Sequence, residues 1–310
     1  MTPRNARTGV AAARDTMPRV SLGQLLRVHL TYLWRHRRVL RLRNPTRFTE
    51  LVQCRKLYDR DARLPLLIDK LTAKGFVVQR LGADWVTPTL WSGTVLPKLP
   101  CWPLPFVVKS RHGCNQRHFV RTGSEDWCAI RQAAARWMRR DYGFWLDEHG
   151  YRGIARGLLV EPFVGDGTTL PIDYKFYVFH GKVAFVQVHL GREGNHRWLI
   201  FDRDWQRVSS PSAECDPACP ATLGRMIAAA ENLGACFAFV RVDLYEVSGQ
   251  PRFGEMTFYP GSGLDPFDPP GLDSIMGAMW LAGCTASAAD YIFPTLDLQH
   301  PRNETVTVER

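Results

Sequence analysis

A chain of 310 residues with 45% hydrophobic content and 10 Trp can bury one large core or two moderate ones, so its folding needs no disulfide or metal staple. Its formal charge of +10 is unevenly placed, because residues 1–60 hold 14 basic and 3 acidic residues and the remainder is close to neutral. Eight scattered cysteines read as reduced thiols, Cys215 and Cys219 lack the further His or Cys of a zinc set, and no apolar run approaches the roughly 20 residues of a membrane span.

Residues 1–20 are rich in Arg, Ala and Thr without periodicity and are expected to form a disordered basic tail. From Ser21, a good N-cap, Leu22, Leu25, Leu26, Leu30 and Leu33 recur at helical spacing, followed by Arg35, Arg37, Arg38, Arg41 and Arg43. This predicts a basic amphipathic helix over 21–44. The plainer reading packs its Leu stripe on the core with Arg in water, and removal of residues 1–40 is expected to spare ATP hydrolysis. The sharper reading lays it on an anionic membrane surface. With no secretory signal visible, the location expected is the cytoplasm, with a peripheral contact at the inner membrane face under the second reading.

Residues 48–80 read as a helix, a second helix led by Pro65 that carries Asp69 and Lys70, and then a strand. They fall in an N-terminal α/β region over 45–105, which ends in a connection through Pro97, Pro100, Pro103 and Pro105. A strand at Phe106-Val107-Val108, a helix over 124–146 and a strand over 158–164 follow. A hairpin over 174–190 turning at His180-Gly181, a helix over 221–233 and a second hairpin over 237–258 complete the order. Helices mixed with late antiparallel hairpins predict an α/β (α+β) fold rather than a purely parallel doubly wound sheet.

The late hairpin carries the chemistry. Arg241, Asp243 and Tyr245 alternate with Val240, Val242 and Leu244. A three-residue turn Ser248-Gly249-Gln250 pairs Val247 with Pro251, and the same register sets Asp243 opposite Glu255 and Arg241 opposite Thr257. Like charges about 5 Å apart repel each other. A hard cation that takes few protein oxygens and completes its shell with phosphate and water, namely Mg2+ with a nucleotide, offsets that repulsion. Arg241 beside the acids suits a phosphate. The plain alternative is an exposed sheet face on which Arg241 neutralises Asp243.

Three further features point the same way. Pro260-Gly261-Ser262-Gly263 is a turn whose backbone amides can approach a ligand. Lys109 ends a buried strand and leads into a polar, glycine-containing loop over 110–117, an arrangement suited to nucleotide phosphates. Glu161-Pro162 interrupts the strand before Phe163, leaving edge groups able to read an adenine; the alternative is an edge strand with a solvent-facing Glu161. Of the histidines at 112, 118, 180, 189 and 196, all read as surface or loop residues and only His112 invites a test. No Ser-His-Asp or Cys-His set is evident, and no nucleic-acid-binding pattern accompanies the basic arm.

Taken in order, Val108-Lys109, Glu161-Pro162-Phe163, the run from Asp173 to Lys182, Arg241-Val242-Asp243-Leu244-Tyr245 and the run from Glu255 to Gly263 resemble the TupA-like ATP-grasp proteins, named for teichuronopeptide biosynthesis. Lys56-Leu57-Tyr58-Asp59 and Asp69-Lys70 resemble that family's N-terminal region, and the likeness spans roughly residues 45–285. It implies an ATP-grasp fold of two subdomains clasping ATP between antiparallel sheets, with a catalytic domain over 106–290 and a C-terminal tail over 291–310. It further implies that Lys109 and Lys175 contact ATP phosphates, that Glu161, Pro162 and Phe163 form the adenine hinge, and that Gly261 and Gly263 lie against the cofactor. Asp243 and Glu255 would hold Mg2+, with Arg241 near the transferred phosphate. Thr257 stands where the fold usually has Asn, though its oxygen can still serve the metal.

The reaction implied is ATP-dependent joining of a small-molecule or glycan carboxylate to an amine through an acylphosphate, in cell-surface polysaccharide biosynthesis. The competing readings are an ATP-grasp kinase acting on a sugar hydroxyl, and a non-catalytic nucleotide-binding component of a glycan assembly complex.

Overall fold

The computed structural model describes residues 20–165, 169–211 and 215–282. The disordered tail expected before residue 20 and the C-terminal tail over 291–310 lie outside the described residues.

The N-terminal part is helical. Helix α1 (Leu22–His36) starts at Ser21, whose hydroxyl accepts from the Gln24 amide while the Gln24 side chain takes the Ser21 N–H. This capping box satisfies two orphan donors of the first turn. Helices α2 (Phe48–Tyr58), α3 (Arg63–Ile68) and α4 (Thr72–Leu81) follow. The strand expected at the end of residues 48–80 is therefore helix. Ala73 and Val77, four apart, are buried there while Gly75 midway between them is exposed, a spacing that fits a helical turn and breaks the two-residue alternation of a strand.

Helix α1 docks in the sense opposite to the plainer expectation. Val28 and Tyr32 are buried, whereas Leu22, Leu26, Leu30 and Leu33 are exposed. Two of the segment's cations turn inward: Arg27 pairs with buried Asp147 at 2.5 Å and Arg38, just past the helix, pairs with buried Asp273, while Arg35 and His36 bond the backbone carbonyls of Leu264 and Gly263 and Arg37, Arg41 and Arg43 stay exposed as the plainer reading expects. Buried carboxylates need cationic partners, and α1 supplies them. The arm is thus built into the fold and is not a dispensable appendage.

Two antiparallel sheets follow. The strands are β1 (Trp91–Gly93), β2 (Phe106–Ser110), β3 (Arg117–Val120), β4 (Leu158–Pro162), β5 (Asp173–Phe179), β6 (Lys182–Leu190), β7 (Arg197–Asp202), β8 (Phe239–Val247) and β9 (Gln250–Thr257). The smaller sheet runs β1-β4-β2-β3 and the larger runs β7-β6-β5-β8-β9. Helix α5 (Trp127–Met138), shorter than the 124–146 expected, lays Ile130 and Ala134 on Phe106, Val108, Val120, Leu158 and Val160 of the smaller sheet. The larger sheet is covered by α2, α6 (Leu223–Gly234) and α7 (Leu272–Ala282), with Phe48, Met226, Leu233, Met276 and Trp280 packing on Phe176, Val178, Phe239 and Val242. Each such side chain contributes roughly 1.5–3 kcal/mol on burial.

The two hairpins fix the register of the larger sheet. β5 and β6 close at His180-Gly181, both at positive φ, as a two-residue turn of the kind expected there. β8 and β9 also close in two residues, Ser248 and Gly249, so that Val247 faces Gln250 and not Pro251. A bulge between Asp243 and Leu244 then skips Gly254 and restores the opposition of Asp243 with Glu255 and of Arg241 with Thr257. Glycine fits at 254 because a Cβ there would lie 3.0 Å from both the Asp243 carbonyl and the Tyr245 ring.

Candidate active site

A cavity of about 520 Å³ lies between the sheets, lined by seven basic and four acidic side chains. β2 and β4 bring Lys109 and Glu161 to it, the loop before β3 brings Cys114, Asn115 and Gln116, and the larger sheet brings Asp173, Lys175, Arg241, Asp243 and Glu255. With the exception of Thr257, the residues expected from the sequence to meet phosphate and metal therefore share one wall system, although they lie up to 146 positions apart in the chain.

On the smaller sheet, Glu161 is not a solvent-facing edge residue. It is buried and bridges Lys109, at 2.6 Å, and Lys74 of α4. Burial alone would raise its pKa, but the two ammonium groups outweigh that and hold it below the usual carboxylate range. Lys109 is likewise opposed by burial and held raised by Glu161, so its charge is secure and its head group is aimed. On the outer side of β4, β1 pairs only as far as Val160, and Pro162 follows beyond it. Phe163 packs edge-on to Phe119 at 5.5 Å and under the Arg121 guanidinium at 5.1 Å. Val107, Phe119 and Val164 line the cavity next to Glu161, whereas Pro162 and Phe163 stand behind them.

On the larger sheet the charges interlock. Lys175 Nζ donates to Asp173 at 2.7 Å and to Asp243 at 2.5 Å, and Arg241 grips both oxygens of Asp243 at 2.7 and 2.8 Å. Asp243 is 1% exposed, so the alternative of an exposed face fails, although Arg241 does neutralise Asp243. Burial pushes the Asp243 pKa up, but Arg241 and Lys175 outweigh it and leave it lowered. Burial opposes the charge of Lys175 and Arg241 in turn, and the acids between them hold both raised. Across the ladder, Glu255 accepts the Thr257 hydroxyl at 3.0 Å, stands 3.7 Å from Arg241 and keeps its side chain 36% exposed. Thr257 itself sits behind Glu255, bonded to it and to Arg241, and does not line the cavity.

Asp243 and Glu255 set hard carboxylate oxygens face to face, of which Mg2+ takes one or two. Both Asp243 oxygens already accept from Arg241 and Lys175, so cations of the chain offset the repulsion between the two acids, and the partly exposed Glu255 is the carboxylate left open to a metal. Three further buried atoms at the cavity, Asp173 Oδ1, Gln116 Oε1 and His189 Nε2, lack a hydrogen-bond partner. Buried polar groups are nearly always paired, so these mark a wall made to meet a polar ligand.

Gly261 and Gly263 lie elsewhere than expected. Their turn, Pro260–Gly263, is drawn under α2 by Gln53 and Lys56, which bond the Ser262 carbonyl at 2.8 and 3.3 Å. Both glycines line a second cavity of about 360 Å³, bounded also by Arg35, Phe48, Trp198, Asp265 and Phe267. The two cavities share Arg241, His189 and His196.

His112 is structural: it is 3% exposed, with one ring nitrogen at the Trp137 carbonyl and the other taking the Gly157 N–H. The histidines at the site are His189 and His196, linked at 3.0 Å. Burial, with Lys175 and Arg241 nearby, lowers His189 to about 2 and keeps it neutral. Its sequence signal was its phase in β6, two residues beyond Gln187, which faces Lys175. Lys74 and Arg192, the latter bonded to Asp173 at 3.1 Å, are further site residues with no motif of their own.

No curated protein matches the chain. Among solved structures it is similar to a D-alanine–D-alanine ligase from Bacillus anthracis complexed with ATP, at 15% identity and a TM-score of 0.37 over 62% of this chain and 54% of that one. An L-amino acid ligase from Bacillus licheniformis gives 14% and 0.41 over 69% and 50%, and the ATP-grasp ligase PsnB with its minimal precursor gives 9% and 0.41 over 71% and 61%. The chain thus spans between half and about three fifths of these proteins' length. The family model for TupA-like ATPgrasp matches residues 50–281, a stretch holding every cavity-lining residue named above except Arg35 and Phe48, and the chain belongs to that family.

Proposed function

We propose that this chain is a Mg-ATP-dependent carboxylate–amine ligase acting in the assembly of a cell-surface glycan, in the cytoplasm at the inner face of the membrane. One observation carries the chemistry: Lys109 of one sheet and Lys175, Arg241, Asp243 and Glu255 of the other line a single cavity of nucleotide size. The surrounding excess of positive charge suits a triphosphate. The glycan setting rests on the family alone.

In this reading Lys109 and Lys175 hold ATP phosphates, and the strand through Glu161, Pro162 and Phe163 borders the adenine. Glu255, with Asp243 once Lys175 or Arg241 turns to phosphate, would hold the magnesium ion, which would supply charge neutralisation at the phosphates. Thr257 orients Glu255 and is not itself a ligand. A carboxylate oxygen of the substrate attacks the γ-phosphorus and ADP leaves. The amine nitrogen then attacks the acyl carbon of the acylphosphate, and phosphate departs as the amide forms. Such a route needs positioning and charge stabilisation, with no protein nucleophile. The second cavity, meeting the first at Arg241, is where the carboxylate substrate would sit.

The test follows the γ-phosphate. With Mg-ATP and candidate acceptor pairs, a ligase releases inorganic phosphate and forms an amide, whereas phosphate retained on a hydroxyl product would make the protein a kinase. Calorimetry that detects no magnesium-dependent ATP association would remove the enzyme reading altogether.

A further inference from the structure

The face of α1 turned away from the protein is apolar. Leu22, Leu26, Leu30 and Leu33 are 81%, 58%, 55% and 45% exposed, and Trp34 is 68% exposed. The positions 22, 26, 30 and 33 form one stripe along the helix. A second element extends it: Phe144 and Trp145, 63% and 69% exposed, lie beside α1, with the Arg27 guanidinium 5.8 Å from both rings. Two indoles and a phenyl, each able to bury roughly 150–250 Å² when covered, make with four leucines a patch well beyond the few hundred Å² common on monomers.

The helix cannot hide this stripe by rolling over. Its inward face holds Arg27 on Asp147 and the Tyr32 hydroxyl on Thr49 at 3.0 Å, Arg38 just past its end is tied to Asp273, and rotation would strand buried Asp147. We propose that α1 and the Phe144–Trp145 loop form a docking face for an anionic lipid bilayer.

Charge selects that occupant over a second protein. The segment from Leu22 to Asn44 contains no Asp or Glu, and Arg37, Arg41 and Arg43 are exposed where the stripe ends. Leucines bordered by tryptophan and arginine, with no acid, describe a helix lying in the interface of a negatively charged membrane. The length also fits, because 15 residues lie along the surface and no described helix is long and apolar enough to cross it. Arg35, next after Trp34, lines the second cavity, so the docked face borders the proposed acceptor site. The inference deepens the membrane part of the proposed function and uses no step of the ligase chemistry, so either can fail alone.

The experiment is co-sedimentation of the 310-residue chain with phosphatidylcholine vesicles with and without phosphatidylglycerol. The chain should sediment with the anionic vesicles and be released by salt. The triple variant Leu26→Gln, Leu30→Gln, Trp34→Gln should lose at least about tenfold in vesicle affinity with an unchanged melting temperature, since all three side chains are exposed. Replacing Arg37, Arg41 and Arg43 by Gln should cost roughly fivefold each on anionic vesicles and little on neutral ones. Failure of the parent chain to bind anionic vesicles, or equal binding by the Leu/Trp variant, overturns the proposal. So does a dimer in solution that this variant converts to monomer while vesicle binding is absent, since the face would then be a contact between copies.

Discussion

Asp243 and Glu255 face each other across one ladder, yet their surroundings assign them different work. Asp243 is buried and gripped by Arg241 and Lys175, whereas Glu255 is a third exposed and accepts one hydroxyl. Removing one partner of a buried ion pair leaves the others uncompensated, at a cost of about 3–5 kcal/mol. Asp243→Asn should therefore lower the unfolding free energy by that order and abolish turnover. Glu255→Gln should leave stability within about 1 kcal/mol of the parent, as for an exposed pair, while turnover drops at least about a hundredfold through lost charge stabilisation. Lys109→Ala should match Glu255→Gln in turnover. Urea unfolding alongside ATP turnover separates these roles, and a Glu255→Gln variant with normal turnover would strike that residue from the site. At this scale the sequence was legible where alternation put Arg241, Asp243 and Glu255 on one face. It was silent on Lys74 and read His189 as a surface or loop residue, since the importance of both comes from what lies across space from them, and it misplaced His112, whose two ring bonds are both to distant backbone.

The elements were legible where periodicity was strong and the turn chemistry local, as at His180-Gly181. The β8–β9 register came out as expected through two deviations that cancel, a turn one residue shorter and a bulge one residue longer. α4 was misread because a short apolar run leaves the helical and strand periods hard to tell apart. β1, at three residues, carries too little pattern to be seen at all. One element makes a sharp pH prediction. The loop between β3 and α5 is closed by Glu125, whose carboxylate accepts the N–H groups of Arg121, Thr122 and Gly123 at 2.7, 3.2 and 2.8 Å. The Arg121 amide foremost, with the others, lowers its pKa to about 2 from 4.5. A depressed carboxylate contributes stability that is complete above the unfolded pKa and fades as pH falls toward the folded one. The stability gap between the parent and Glu125→Gln should be full at about pH 6, shrink through about pH 3 and be largely closed by about pH 2, and solvent exposure keeps it small throughout. A gap that does not change over that window would show that the carboxylate does not close the loop through its charge.

At the scale of the molecule, the N-terminal helix is where composition misled most, because amphipathicity tells which faces differ and not which one turns inward. A basic arm with a leucine stripe suggests leucines in and arginines out, whereas the fold leaves most of the leucines out and draws Arg27 and Arg38 in through two carboxylates more than a hundred positions downstream, with Arg37, Arg41 and Arg43 still exposed. Removing residues 20–40 would take Val28, Tyr32 and Leu40 from their cluster with Leu57, and would leave Asp147 and Asp273 buried without Arg27 and Arg38. It would also release the Gly263 carbonyl from His36 and take the Arg35 wall from the second cavity. Each broken buried pair is worth about 3–5 kcal/mol, a large share of the 5–15 kcal/mol that holds a typical domain. The truncated chain should therefore melt well below the parent or fail to accumulate folded, and its Mg-ATP affinity should fall with its stability. The Leu26, Leu30 and Trp34 variant should melt like the parent, because it alters the same helix only on its outward face. Thermal unfolding by circular dichroism of the three proteins decides the matter, and a truncated chain that melts within a few degrees of the parent would detach α1 from the fold.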